Sequence, residues 1–228
     1  MSAICIIPAR GGSKRIPRKN IKLFLGKPII AYSIEAALKS NLFDEVMVST
    51  DDEEVAKVAI EYGAKVPYFR SEKNSDDFAT TYEVIDEVID YYKSKSQVFE
   101  LTCCLYPTAP FITPDRLCEA HELLRDKINA VFTVVPYSYP IQRSLSLDDK
   151  GVLRMNWTEN LKKRSQDLKT NFHDAGQFYF YNTQSYLENK GVFNMLSKPI
   201  ILNELEVQDI DSLTDWKLAE LKYSLLNK

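Results

Sequence analysis

The stretch Ile4-Cys-Ile-Ile-Pro-Ala-Arg-Gly-Gly-Ser-Lys-Arg-Ile-Pro-Arg-Lys-Asn20 decides how the rest of the chain is read. Residues 4–7 are a short apolar run enriched in β-branched side chains, which predicts a buried strand. Pro8 ends the run, and Gly11-Gly12 free the backbone for a tight turn. Arg10, Lys14, Arg15, Arg18 and Lys19 surround that turn. A helix is expected from Pro28, a favoured first-turn residue, with Ile30, Ile34, Ala37 and Leu38 on one face. A loop loaded with cations at the end of a first strand suits a polyanion. No residue within 1–34 is acidic although the chain carries a formal net charge of −3, and this asymmetry marks the loop as functional. It is not a P-loop, which needs G-x-x-x-x-G-K-[ST], and adjacent Gly11 and Gly12 do not make the dinucleotide fingerprint G-x-G-x-x-G.

Downstream, residues 45–50 read as a second strand, and Asp51-Asp52 cap a helix that faces Val55, Val58, Ala59 and Tyr62 inward and stops at Gly63. Residues 66–69 read as a third strand that delivers Arg70 to its end. A polar loop over 71–78 leads into a helix with Val84, Ile85, Val88, Ile89 and Tyr92 on its face. Residues 99–105 form a buried strand broken by Pro107 and Pro110, a helix follows from Pro114, and 130–135 are the next strand. This alternation predicts an α/β fold with a largely parallel sheet covered on both faces. Ligands of such sheets bind beyond the carboxyl ends of the strands, so Arg10, Asp51, Arg70 and Tyr106-Pro107-Thr108 should converge on one crevice. From Tyr137 the periodicity is lost. Asp148-Asp-Lys-Gly151 is a turn signal between two short extended segments, and 156–171 is polar and irregular. An excursion of this length is expected to be a lid or an interaction arm. Residues 176–181 return as a strand, 184–188 as a short helix, and Ser212 with Asp215 resembles a capping box for a last helix.

The chain of 228 residues is long enough for one well-buried core, and no linker divides it. Its 45% hydrophobic and 27% charged residues are those of an ordinary globular protein. The acidic balance argues against a nucleic-acid partner. No apolar stretch has the length of a membrane span, and the first apolar run is too short for a signal peptide, so a cytoplasmic location without a membrane partner is expected. Cys5, Cys103, Cys104 and Cys118 make no C-x-x-C and read as buried, reduced thiols. Asp209-Ile-Asp211 places two carboxylates on one side of an extended segment, a donor pair for a hard cation, although D-x-D alone is more often surface charge.

The stretch IPARGGSKRIPRKN closely resembles the opening motif of the sialic acid-type CMP-sugar synthetases, the cytidylyltransferases that activate nine-carbon α-keto acid sugars. The resemblance continues through STDDEEVAKVAIEYGA, YPTAPF, SYPIQRSL, FHDAGQFY and VQDID, and covers nearly the whole chain. RSQDL together with HDAGQFY most resembles the branch acting on pseudaminic acid. The resemblance implies a single Rossmann-like nucleotide-diphosphosugar transferase fold spanning 1–228, with 137–171 as an inserted segment that serves dimerisation and sugar binding in a homodimer. It implies CTP and a nine-carbon α-keto acid sugar as substrates and Mg2+ at Asp209 and Asp211. Arg10, Gly11, Gly12, Ser13 and Lys19 then contact the phosphates, with Lys19 acting most directly on the transition state, and Asn20 helps fix the nucleotide. Arg70, Asp77, Thr80, Thr81, Pro107 and Thr108 form the ribose and cytosine wall. Arg143 and Arg164 match basic positions of the sugar pocket, which Tyr106, Gln142, His173 and Gln177 complete. The chain departs from the family pattern at Tyr106, where relatives commonly carry Gln, and at His173, where sialic acid synthetases usually carry Arg. Two alternatives stay open at this level: another acceptor (legionaminic, N-acetylneuraminic or 3-deoxyoctulosonic acid), or a non-catalytic nucleotide-binding protein on the same fold.

Overall fold

In the computed structural model, which describes residues 1–227, the run of apolar residues near the N-terminus is strand β1 (Ala3–Pro8) at the centre of the molecule. Its side chains alternate as a strand's must. Cys5 and Ile7 enter one core layer with residues of two helices, α1 (Ile29–Ser40) and α4 (Pro114–Leu123), while Ile4 and Ile6 enter the opposite layer with α3 (Thr81–Ser94). A short hairpin, β2 (Leu23–Phe24) and β3 (Lys27–Pro28), precedes α1, which begins one residue after the expected Pro28. The next elements are β4 (Glu45–Ser49) and α2 (Glu53–Glu61), with α3, then β5 (Leu101–Leu105), α4 and β6 (Ala130–Pro136) following. After the excursion come β9 (Phe172–Asn182), α5 (Thr183–Asn189), β10 (Ser197–Ile201) and α6 (Leu213–Leu226). Ser212 and Asp215 form the capping box expected for α6.

The main sheet has the order β10-β6-β9-β5-β1-β4. Pairs β1–β4, β1–β5 and β6–β10 are parallel, and β9 lies antiparallel between β5 and β6. This one reversed strand matters for the site. It brings its own beginning, His173 to Gln177, to the edge where β1, β4, β5 and β6 end. The expected strand at 66–69 is reduced to two bridges, Met47 with Lys65 and Thr50 with Phe69. Pro67 lies between them and has no N–H to continue the ladder. Residues 137–171 contain the hairpin β7 (Leu145–Leu147) and β8 (Leu153–Met155), with Gly151 at φ 72° in the turn. Leu145, Leu147, Val152, Leu153 and Leu161 of this segment are exposed. No described helix is long and apolar enough to cross a membrane.

A third, smaller cluster lies outside the two sheet layers. Ile16 from the cationic loop and Ile210 from between the two acids are buried in it with Phe24, Ile29, Phe111, Trp216 and Ala219. Phe24 packs edge-on to Trp216 at 5.7 Å and to Tyr223 at 5.6 Å. Removing either isoleucine side chain leaves a hole in a packed core. Ile16→Ala and Ile210→Ala should each lower unfolding free energy by about 2–5 kcal/mol. Ile60→Ala, at a site 59% exposed, should change it by less than about 0.5 kcal/mol. Denaturant midpoints of the three variants check this ordering.

Candidate active site

The loop after β1 is held by acids that follow β4. Gly11 N–H donates to Asp51 Oδ1 at 2.9 Å. A Cβ on Gly11 would stand 2.7 Å from Asp52 Cβ, so only glycine permits this approach. Asp52 also caps α2 by accepting from Glu54 and Val55 N–H, and it pairs with Arg18 at 2.9 Å. Arg18 adopts a left-handed backbone at φ 57°, a conformation costing about 1–2 kcal/mol for a non-glycine residue. Its ion pairs with Asp52 and Glu54 oppose that cost. Asn20 is buried and donates through Nδ2 to the Arg10 carbonyl at 2.9 Å, which closes the loop on itself.

This loop walls a hollow of about 510 Å3. Arg10, Ser13, Lys14, Arg15, Lys19 and Asn20 line one side, and Arg70, Asp77, Thr81, Tyr106, Pro107 and Thr108 the other. Arg10 donates to the Asp76 carbonyl at 2.7 Å and pairs with Asp77 at 3.0 Å, and Lys14 pairs with the same carboxylate. The Lys14 ammonium, then Arg10, holds the Asp77 carboxyl below its ordinary pKa. Arg70 is buried beneath, donating to Ser49 Oγ at 3.0 Å and to the Ser49 carbonyl. Burial pulls its pKa down, with Asp51 and Glu87 opposing.

A second hollow of about 520 Å3 opens beside the first and shares Tyr106 and Thr108 with it. His173, Asp174, Gln177 and Tyr179 of β9 form one wall, and Gln208, Asp209 and Lys222 the other. Tyr179 donates to Asp174, and the Gly176 N–H donates to the same carboxylate at 2.9 Å. Gln177 is buried, and its Nε2 donates to the Glu206 carbonyl at 2.7 Å. Tyr106 Oη lies 3.3 Å from Thr81 Oγ1, and burial pushes the phenol's pKa up.

Lys19 lines the first hollow and reaches the segment that walls the second. Its Nζ donates to the Ile210 carbonyl at 2.8 Å and lies 3.8 Å from Asp211. Arg15 reaches Asp211 at 2.7 Å. Burial lowers the Lys19 pKa, with Asp211 and Asp209 opposing. Ile210 is 1% exposed. With that side chain turned into the core, Asp209 lines the second hollow, whereas Asp211 lines neither hollow and faces Arg15 and Lys19. Two oxygen-donor carboxylates on one side of a segment fit a hard divalent cation that takes its remaining ligands from phosphate and water. No larger His/Cys/Asp/Glu group suited to a metal occurs among the described residues.

The structure therefore gathers Arg10, Ser13, Lys19, Asn20, Arg70, Asp77, Pro107 and Thr108 at one hollow, and Tyr106, His173, Gln177 and Asp209 at its neighbour. Thr80 is placed differently. Its hydroxyl caps α3 in a capping box with Glu83, and it is Thr81 that faces the first hollow. Gln142, Arg143 and Arg164 line neither hollow. They remain on the excursion, bonded to Lys169, Ser165 and Asp167 respectively. Sequence reasoning put Lys14 and Arg15 in the polyanion-binding loop without giving them a contact, and it missed Asp174, Tyr179 and Lys222. For Lys222 there was no signal beyond a cation on a helix whose faces are all partly apolar. Gly11→Ala should cost about 1–3 kcal/mol through overpacking against Asp52. A Cβ on Gly12 meets nothing within 4 Å, so Gly12→Ala should leave thermal unfolding within about 0.5 kcal/mol of the parent. Thermal melts of the two variants test the difference.

The geometry agrees with what the chain is similar to. Residues 4–221 match the family model described as cytidylyltransferase. A pseudaminic acid cytidylyltransferase from Campylobacter jejuni is 44% identical over 99% of this chain and 97% of its own length. A CMP-N,N'-diacetyllegionaminic acid synthase from Legionella pneumophila is 34% identical over 96% of this chain and 95% of its own. Among solved structures, a CMP:2-keto-3-deoxy-manno-octonic acid synthetase complexed with CTP superposes with a TM-score of 0.69 at 17% identity, over 100% of this chain and 99% of the other, which shows a shared fold. With cations lining one hollow, Asp209 lining its neighbour, and a match over nearly its full length, the chain belongs to the cytidylyltransferase family.

Proposed function

We propose that this protein transfers CMP from CTP to the anomeric hydroxyl of pseudaminic acid, giving CMP-pseudaminic acid and pyrophosphate. The observation that carries the reading is the Lys19 bond to the Ile210 carbonyl, which ties the cationic hollow to the segment whose Asp209 and Ile210 line the β9-lined hollow. The triphosphate lies in the first hollow against Arg10, the Gly11-Gly12 turn, Ser13 and Lys19. The cytosine and ribose lie toward Arg70, Thr81, Pro107 and Thr108. The sugar occupies the second hollow against Tyr106, His173 and Gln177.

Phosphoryl transfer asks the protein mainly for alignment and charge stabilisation. Lys19 is fixed by the Ile210 carbonyl, so its ammonium meets the charge that builds at the α-phosphate without reorganising. Arg10 orients the outer phosphates once they replace Asp77 as its partner. Asp209 and Asp211 would hold Mg2+, which when bound neutralises phosphate charge and lowers the pKa of the attacking hydroxyl. The preference for pseudaminic acid is supported by the stronger likeness to the Campylobacter enzyme than to the legionaminic acid synthase, and by His173 in place of an arginine. His173 presents a smaller donor than a guanidinium, suited to neutral substituents. The reaction is placed in the cytoplasm, and the enzyme works as a homodimer. The exposed leucines of residues 137–171 pack between protomers, and Gln142, Arg143 and Arg164 reach the partner's sugar hollow, since they line none of their own.

Pseudaminic, legionaminic, N-acetylneuraminic and 3-deoxyoctulosonic acids, each with CTP and Mg2+, test the function through pyrophosphate release. Pseudaminic acid should exceed N-acetylneuraminic acid by at least ~10²-fold in kcat/KM, and preference for another acid would overturn the acceptor assignment. Lys19→Ala should fold normally and lose ~10²-fold or more in kcat/KM. Asp209→Asn and Asp211→Asn should each abolish most Mg2+-dependent turnover, and unchanged metal titrations would reduce the pair to surface charge. Light scattering should show a dimer at assay concentration. A fully active monomer would remove the role given to the excursion.

A further inference from the structure

Asp209 sits in a stretch that has no regular structure to place it. Residues 207–211 belong to no helix or strand and, among the described residues, make no backbone–backbone hydrogen bond. Side chains hold the stretch instead. The Lys222 Nζ donates to the Glu204 carbonyl at 2.9 Å and to the Val207 carbonyl at 2.7 Å. Gln177 of β9 donates to the Glu206 carbonyl at 2.7 Å, and Lys19 donates to the Ile210 carbonyl at 2.8 Å. The Glu206 carboxylate accepts in turn from Arg116 of α4 at 3.0 Å. Asp209 thus lies between Val207 and Ile210, whose carbonyls are each held by an ammonium. The two lysines differ in origin. Lys19 belongs to the cationic loop, whereas Lys222 stands on α6 and lines the second hollow but not the first. An ammonium is a compact donor that can bridge two carbonyls at once, so Lys222 pins the approach to Asp209 at two points.

From this arrangement we propose that Lys222 is a positioning residue for the acid segment. By tying the Glu204 and Val207 carbonyls to α6, it sets where Asp209 stands relative to Lys19 and so shapes the divalent-cation site. The role rests on the reading of Asp209 as a Mg2+ ligand under the proposed function, and it adds a residue that need touch neither cation nor substrate. Mg2+ demands near-ideal geometry from its ligands, so a carboxylate on a loosened main chain binds it less well. Outer-shell partners that orient a ligand matter to metal affinity for the same reason. Because Lys222 holds main chain, its loss also lowers stability. The test therefore compares two affinities of the folded protein rather than turnover alone.

Mn2+ is the probe, and its affinity for the nucleotide-free protein is read by water-proton relaxation, without turnover. Lys222→Met keeps the aliphatic stem and loses both bonds. It should weaken Mn2+ binding ~10- to 10²-fold, the cost of removing an outer-shell partner of a metal ligand. CTP affinity measured in EDTA should stay within about twofold of the parent, because Lys222 touches nothing in the first hollow. A lysine of merely structural importance would lower the melting temperature and leave the Mn2+ affinity of the folded protein unchanged, and that result would overturn the proposal. Equal losses of Mn2+ and CTP affinity would overturn it too, since they report general loosening. Should Lys222→Met fail to fold, Lys222→Gln, which keeps one amide donor, decides in the same way. Its expected loss of Mn2+ affinity is ~3- to 10-fold, the range of one hydrogen bond, and an unchanged affinity again overturns the proposal. Asp209→Asn tests the reading underneath. It should weaken Mn2+ binding in the otherwise unaltered protein, and no change there would remove the metal site itself and the role of Lys222 with it.

Discussion

Ile16 and Ile210 are buried in one apolar cluster although they stand 194 positions apart in the chain. Each gains about 1.5–3 kcal/mol by leaving water, and the gain is available only if the cationic loop and the acidic segment approach each other. Every charge that matters to the site then follows from sequence position. Lys14, Arg15, Arg18 and Lys19 flank one isoleucine, and Asp209 and Asp211 flank the other. Apolar packing thus opposes two loops that water alone would leave independent. The Lys19 bond to the Ile210 carbonyl and the Arg15 pair with Asp211 form because the cluster has already brought the segments together.

The same geometry leaves the cations ready to change partners. Arg10 and Lys14 share Asp77, and Arg15 holds Asp211. These are largely exposed pairs, screened by solvent and weak enough to be exchanged. A triphosphate offers several charges at once and bidentate geometry to the arginine, so exchange of carboxylate for phosphate is favourable. Arg18 is different. Its carboxylate partner Asp52 also caps α2 and abuts Gly11, so that pair belongs to the scaffold and stays. On the proposed function, the loop divides into one structural cation, Arg18, and several left for the triphosphate.

Most of the sheet could be read from apolar runs, because strands covered on both faces are nearly continuous in Ile, Val, Leu and Cys. The first hollow was legible for the same reason, since its residues sit just past strand ends that those runs define. The edge segment at 66–69 misled the reading because Pro67 breaks a ladder that composition alone favours. Thr80 and Thr81 could not be told apart, since only the helix start decides which of them is the cap. Lys222 was invisible because α6 is partly apolar all round and nothing in its own sequence shows what lies across from it. Arg143 and Arg164 were expected in the sugar pocket by family likeness, and only the fold shows that they line neither hollow of their own chain.

The central claim is that the acceptor's anomeric oxygen attacks the α-phosphorus of CTP. An acceptor labelled with 18O at the anomeric hydroxyl, converted with unlabelled CTP and followed by 31P resonance, tests it directly. The account predicts an isotope-shifted phosphorus signal in the CMP-sugar and unlabelled pyrophosphate. Label in the pyrophosphate, or a CMP-sugar without it, would contradict the account.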